Sequence, residues 1–70
     1  MYPSRVKLLV TRTGRGVFNL EYAFLYLEKC NGDWRQLRVT QPIASGGPET
    51  IRAVLGLYSD FETEFVRCKL

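Results

Sequence analysis

Phe24-Leu25-Tyr26-Leu27-Glu28-Lys29-Cys30-Asn31-Gly32-Asp33-Trp34-Arg35-Gln36-Leu37-Arg38-Val39 sets an Asn-Gly dipeptide between two strand-forming runs. Asn-Gly is the preferred pair for a type I′ turn, whose two central residues both need positive φ, and that turn closes a two-residue hairpin. A loop of that length fixes the register. Glu28 faces Arg35, Tyr26 faces Leu37 and Phe24 faces Val39, so apolar residues meet apolar ones and an opposite-charge pair lies at the open end.

Toward the N-terminus, Thr13-Gly14-Arg15-Gly16 reads as a second hairpin turn. A three-residue loop, Gly14-Arg15-Gly16, pairs Arg12 with Phe18, Val10 with Leu20, Leu8 with Tyr22 and Val6 with Phe24. A two-residue loop would set Val10 against Asn19 and Leu8 against Glu21, so the longer loop is preferred, with Gly16 as the left-handed residue of a bulge. Both turns place Val6, Leu8, Val10, Phe18, Leu20, Tyr22, Phe24, Tyr26, Leu37 and Val39 on one face. Agreement between independent turns and one binary pattern predicts a three-stranded antiparallel meander over the first forty residues.

Beyond Gln41, Pro42-Ile43-Ala44-Ser45-Gly46-Gly47 reads as a flexible connection that ends the strand. Pro48 suits a first helical position, Glu49 complements the dipole, and Ile51, Val54, Leu55 and Tyr58 recur at helical spacing over about three turns. The last run alternates Phe61, Thr63 and Phe65 with Glu62 and Glu64, then moves Val66, Cys68 and Leu70 to the opposite parity. A bulge there, or cover on both faces, is expected. The order βββαβ gives an α+β fold, one domain over residues 1–70, in which the helix crosses the core face and the C-terminal strand lies beside the first. Charge agrees with that placement. Residues 1–20 hold four basic and no acidic side chains, whereas Glu49, Asp60, Glu62 and Glu64 crowd the region after the helix start. Glu62 and Glu64 are therefore expected beside Arg5 and Lys7.

The chain has 70 residues, 46% hydrophobic and 24% charged, which excludes disordered, collagen-like and coiled-coil classes. Tyr22–Leu27, the longest uncharged apolar run, is far shorter than the roughly 18 residues of a membrane span. Val6–Val10 is broken by Lys7 and lacks a small-residue cleavage site, so a cytoplasmic, reducing setting is expected. Cys30 and Cys68 then read as free thiols acting as small hydrophobes. With no histidine and no paired-cysteine spacing, neither a metal nor another cofactor is expected.

An enzyme is not expected either. Ser4, Ser45 and Ser59 have no base in reach, Cys30 has no imidazole partner, and Glu62 with Glu64 reads as a charged edge that discourages strand pairing. Gly14-x-Gly16 and Gly46-Gly47-Pro48 lack the spacing of a phosphate-binding loop. No small-molecule substrate and no membrane contact follow from the pattern.

The remaining face is more informative. Register puts Leu9, Val17, Ala23, Leu25 and Leu27 there, flanked by Lys29, Trp34 and Arg38, with Val66, Cys68 and Leu70 as a continuation. One helix cannot cover both faces, so this surface is expected either to be folded over by residues 42–47 or to meet protein through Leu9, Val17, Leu25, Leu27, Trp34 and Arg38. The leading expectation is a small non-catalytic interaction module, of the inhibitor or adaptor kind a virus or mobile element encodes, with a homodimer or a larger protein as partner. A net charge of +3 supports an alternative, nucleic-acid binding through Arg5, Lys7, Arg12, Arg15, Trp34, Arg35 and Arg38. Trp34 discriminates between them: exposure beside the arginines favours stacking on a base, and burial with Leu25 and Leu27 favours a protein interface.

Overall fold

Asn31 and Gly32 take φ values of 51° and 86°, both positive as a type I′ turn requires. In the computed structural model, which describes residues 3–70, this turn joins two of the elements β1 (Arg5–Gly14), β2 (Val17–Cys30), β3 (Asp33–Gly46), α1 (Pro48–Gly56) and β4 (Thr63–Val66). The strands form one sheet in the order β3-β2-β1-β4, with antiparallel meander pairs and β4 parallel to β1. This is the expected α+β arrangement. Pairs Glu28–Arg35, Tyr26–Leu37 and Phe24–Val39 hold in β2–β3, and Arg12–Phe18, Val10–Leu20, Leu8–Tyr22 and Val6–Phe24 hold in β1–β2.

Local details correct the sequence reading at four places. At the first turn the ladder runs on to Gly14–Val17, so Arg15-Gly16 forms the loop and the irregular step lies between Arg12 and Gly14. Gly16 does adopt a positive φ of 70°. Residues 42–46 are strand rather than flexible connection: β3 passes Pro42 through a register shift that pairs Glu21 with Pro42 and Leu20 with Ala44. An edge strand with a bulge tolerates proline, because the missing N–H leaves no ladder partner unsatisfied. Ile43, the extra residue, packs against the core.

The helix is shorter than three full turns imply. Gly47 caps it without a side-chain hydrogen bond, Pro48 opens it, and it ends at Gly56 in a tightened turn where Leu57 N–H donates to Val54 O at 2.9 Å and Tyr58 N–H to Leu55 O at 3.0 Å. Arg67 supplies the fourth correction. Its φ of 52° turns the chain after β4, so Cys68 and Leu70 join the helix-side core instead of continuing the outer face. The Cys68 thiol donates to Val10 O at 3.4 Å.

Leu8, Val10, Phe18, Leu20 and Ile51 are the buried centre, with Tyr22, Ile43, Val54, Leu55 and Tyr58 packed around them. Each fully buried aliphatic there contributes roughly 1.5–3 kcal/mol. Nine helical residues reach only about 13 Å, whereas a 14-residue β2 spans on the order of 46 Å and sets the 45 Å long axis of the molecule. The helix therefore covers less than half of the face that the register assembles. Leu37 and Val39, expected beneath it, are 46% and 53% exposed.

Candidate interaction surface

β1 begins at Arg5, opposite Leu25, so β2 beyond that point has β3 as its ladder partner and the two project as a ribbon. Every residue from Asp33 through Thr40 is exposed. The ribbon carries apolar groups on both sides. On the helix side, Tyr26, Leu37 and Val39 extend from an aromatic cluster in which the Tyr22 ring lies 5.7 Å from Phe24, 5.7 Å from Tyr58 and 6.2 Å from Phe61. On the outer side, Leu27 is 52% and Trp34 68% exposed, and Lys29 Nζ sits 6.0 Å from the indole centre. Hydrogen bonding with Tyr58, then desolvation, holds the Tyr22 phenol above its ordinary pKa.

The outer face of the broad half is closed rather than open. Leu9, Ala23 and Leu25 are buried there, at 5%, 0% and 6% exposure. Register explains how. Glu64 stands opposite Leu9, Lys7 precedes Leu9 by two residues, and Leu25 lies between Arg5 and Arg38 in the two ladders. Lys7 pairs with Glu64, and Arg5 pairs with Glu62 through two nitrogens, Nε donating at 3.1 Å. These are the ion pairs that the charge distribution predicts. Lys7 hydrogen-bonds and attracts Glu64, which holds that carboxyl below its usual range, and Arg38 adds to the effect. Long charged side chains can lay their methylene stems over apolar neighbours in this way. Of the residues expected to meet a protein, Val17, Leu27, Trp34 and Arg38 are exposed, and Leu9 and Leu25 are not.

The basic residues do not converge. Arg12 donates to Gly14 O at 3.1 Å within its own hairpin, and Arg15 occupies the tip. Arg12 pairs opposite Phe18 and Trp34 opposite Lys29, eleven β2 residues away, or roughly 36 Å. Arg35 shares the helix side with Leu37, while Trp34 and Arg38 share the outer side. Arg5 and Lys7 are engaged by carboxylates. What stays together is Lys29 and Trp34: the indole is exposed as stacking requires, but Arg35 lies on the other face and Arg38 four residues along the strand, so the arginine half of the criterion is not met.

Sequence reasoning missed Leu37 and Val39 as surface residues, although the ratio of helix length to strand length carries that information. It also missed an open groove of about 520 Å³ lined by Arg52, Phe65, Cys68, Lys69 and Leu70, which depends on the reversal at Arg67. Cys30 and Cys68 are both half-buried free thiols. Among the described residues no group of three or more Cys, Asp or Glu side chains is placed to hold a metal, and no helix is long and apolar enough to cross a membrane. Comparison with protein families, curated proteins and solved structures gives no match to this chain.

Proposed function

We propose that the chain is a non-catalytic protein-interaction module, of the compact inhibitor or adaptor kind, that engages protein through the projecting β2–β3 ribbon. One observation carries this reading: eight consecutive exposed residues of β3, 33–40, present Trp34, Leu37 and Val39, beside exposed Leu27 on β2. A two-stranded ribbon is marginal in water without a third layer or a neighbouring strand, and a partner provides either. Aromatic and arginine side chains such as Trp34 and Arg38 are typical anchors of such contacts. Relative to the outer-face surface that register alone implies, the contact moves outward along β2. Leu27, Trp34 and Arg38 keep their role, Leu37 and Val39 join them, and Leu9 and Leu25 become structural.

The test combines size-exclusion with light scattering and capture of partners on the tagged chain, with and without nuclease. Association that survives nuclease, and that Leu27→Asp or Trp34→Ala weakens roughly tenfold or more while circular dichroism is unchanged, supports the reading. A wild-type monomer that captures nothing sinks it. A second reading rests on Trp34 standing exposed beside Lys29, with Arg38 on the same face: single-stranded nucleic acid stacks on the indole. Capture lost on nuclease treatment, with affinity falling steeply in salt and on Trp34→Ala, favours that alternative.

A further inference from the structure

We infer that the occupant of the ribbon is a second copy of this chain, joined edge to edge through antiparallel β3–β3 pairing about a two-fold axis; this rests on the interaction reading above. The two edges of the sheet differ sharply. β4 is four residues long, carries Glu64 and follows Glu62, whereas β3 runs from Asp33 to Gln41 without a bulge, a proline or an acidic residue after its first position. Natural edges are blunted by charge, proline, bulges or short length; over Asp33–Gln41 this one carries only the charges of Asp33, Arg35 and Arg38, and its proline and bulge come after that segment.

Hairpin geometry says which groups are free. A two-residue turn makes Cys30–Asp33 a hydrogen-bonded pair, and the pattern alternates from there. Asp33, Arg35, Leu37 and Val39 thus turn their N–H and C=O groups toward β2. Trp34, Gln36, Arg38 and Thr40 turn theirs to the open edge.

Charge then selects a register. Symmetric pairing must match residues of one parity so that each face continues across the junction. Centring the axis on Arg35 or on Arg38 sets like charges directly opposite, which is unfavourable. Centring it on Gln36 pairs only Asp33–Val39. Centring it on Leu37 pairs all of Asp33–Gln41, sets Leu37 against its own copy with Val39 diagonal to it, and places Arg38 against Gln36 and Arg35 against Val39. The register shift at Pro42 and the helix fall beyond the paired segment. Nine residues of paired strand, with apolar groups on both faces, make up the contact. Two four-stranded sheets then become one continuous sheet.

The experiment uses the full chain. Sedimentation across a range of concentrations should show a monomer–dimer equilibrium, and Gln36→Pro should leave a folded monomer, since it removes an edge-facing N–H but no β2–β3 bond. Leu37→Cys should oxidise to a covalent dimer, its copies facing at the roughly 4.5 Å Cα separation of a non-hydrogen-bonded pair. Gln41→Cys should not, and peptide mass spectrometry assigns the bond to the introduced thiols. If Gln36→Pro does not fold, the two cysteine variants decide. A monomer at every concentration overturns self-pairing, and it leaves the interaction reading standing if nuclease-resistant capture of another protein persists. A dimer that survives Gln36→Pro, gives no Leu37→Cys bond and dissolves on Leu27→Asp overturns edge pairing alone.

Discussion

Lys7 and Glu64 are 57 residues apart in sequence and joined across the parallel β1–β4 ladder, where the pair lies beside the buried side chain of Leu9. The contact ties the C-terminal strand to the first one and helps exclude water from an apolar residue that no helix covers.

Acid should expose its contribution. Glu64 has a lowered folded-state pKa, so between that value and the ordinary carboxylate value the unfolded chain binds more protons. Stability is present above the unfolded pKa and is lost as pH falls through the folded one. Urea unfolding measured across the acid range should show this slope, and Glu64→Gln should flatten it. An unchanged slope in Glu64→Gln would place the acid sensitivity elsewhere.

The Tyr22 phenol is displaced in the opposite sense. Its raised pKa means that folding favours the protonated form, so its contribution is intact below the ordinary tyrosine value near ~10 and is lost as pH rises through the folded value. Ultraviolet titration should find a phenol ionising above the ordinary tyrosine range, and Tyr58→Phe should bring it back toward that range.

Burial separates structural from surface aliphatics. Ile51→Ala and Leu9→Ala should each cost about 2–5 kcal/mol, a large part of the total stability of so small a domain. Leu57→Ser, at a residue 81% exposed, should stay within about 0.5 kcal/mol. Thermal melts compare the three directly, and a Leu9→Ala variant as stable as wild type would refute the closed outer face.

Two adjacent glycines should respond differently. Gly46 has φ of 150°, and a Cβ there would lie 3.3 Å from Thr50 Cβ, so Gly46→Ala should destabilise by about 1–3 kcal/mol. Thr50→Ala in the same chain should remove the 3.4 Å approaches of Thr50 Cγ2 and Oγ1 but neither the Cβ contact nor the backbone strain, so it should rescue only part of the loss. Gly47, in extended backbone at the helix N-cap, lacks a side-chain cap, and Gly47→Ser should stabilise by a few tenths of a kcal/mol.

Legibility in the sequence followed the locality of the cause. Asn31-Gly32 determines the β2–β3 register through two backbone angles, and clustered charge alone places Glu62 and Glu64 near Arg5 and Lys7. Pro42 misled because its effect depends on whether a strand lies at an edge, which is a property of the whole sheet. The parity switch at Val66, Cys68 and Leu70 signals that the chain is re-aimed there, but not that Arg67 does it, since an arginine at positive φ is held by its surroundings. For the surface, the register identified Leu27, Trp34 and Arg38, but burial of Leu9 and Leu25 depends on side chains from distant strands, and exposure of Leu37 and Val39 depends on where the helix stops.

β2 joins regions of unequal resistance to opening. From Phe18 to Leu25 it is hydrogen-bonded on both sides and packed against buried side chains, whereas from Tyr26 to Cys30 β3 supports one side. Amide protons in the first stretch should exchange only through global unfolding, and those in the second through local fraying that leaves the core intact. A strand continuous in backbone geometry is thus divided in cooperativity near Leu25, and a partner bound at β3 would move that boundary toward the Asn31-Gly32 turn.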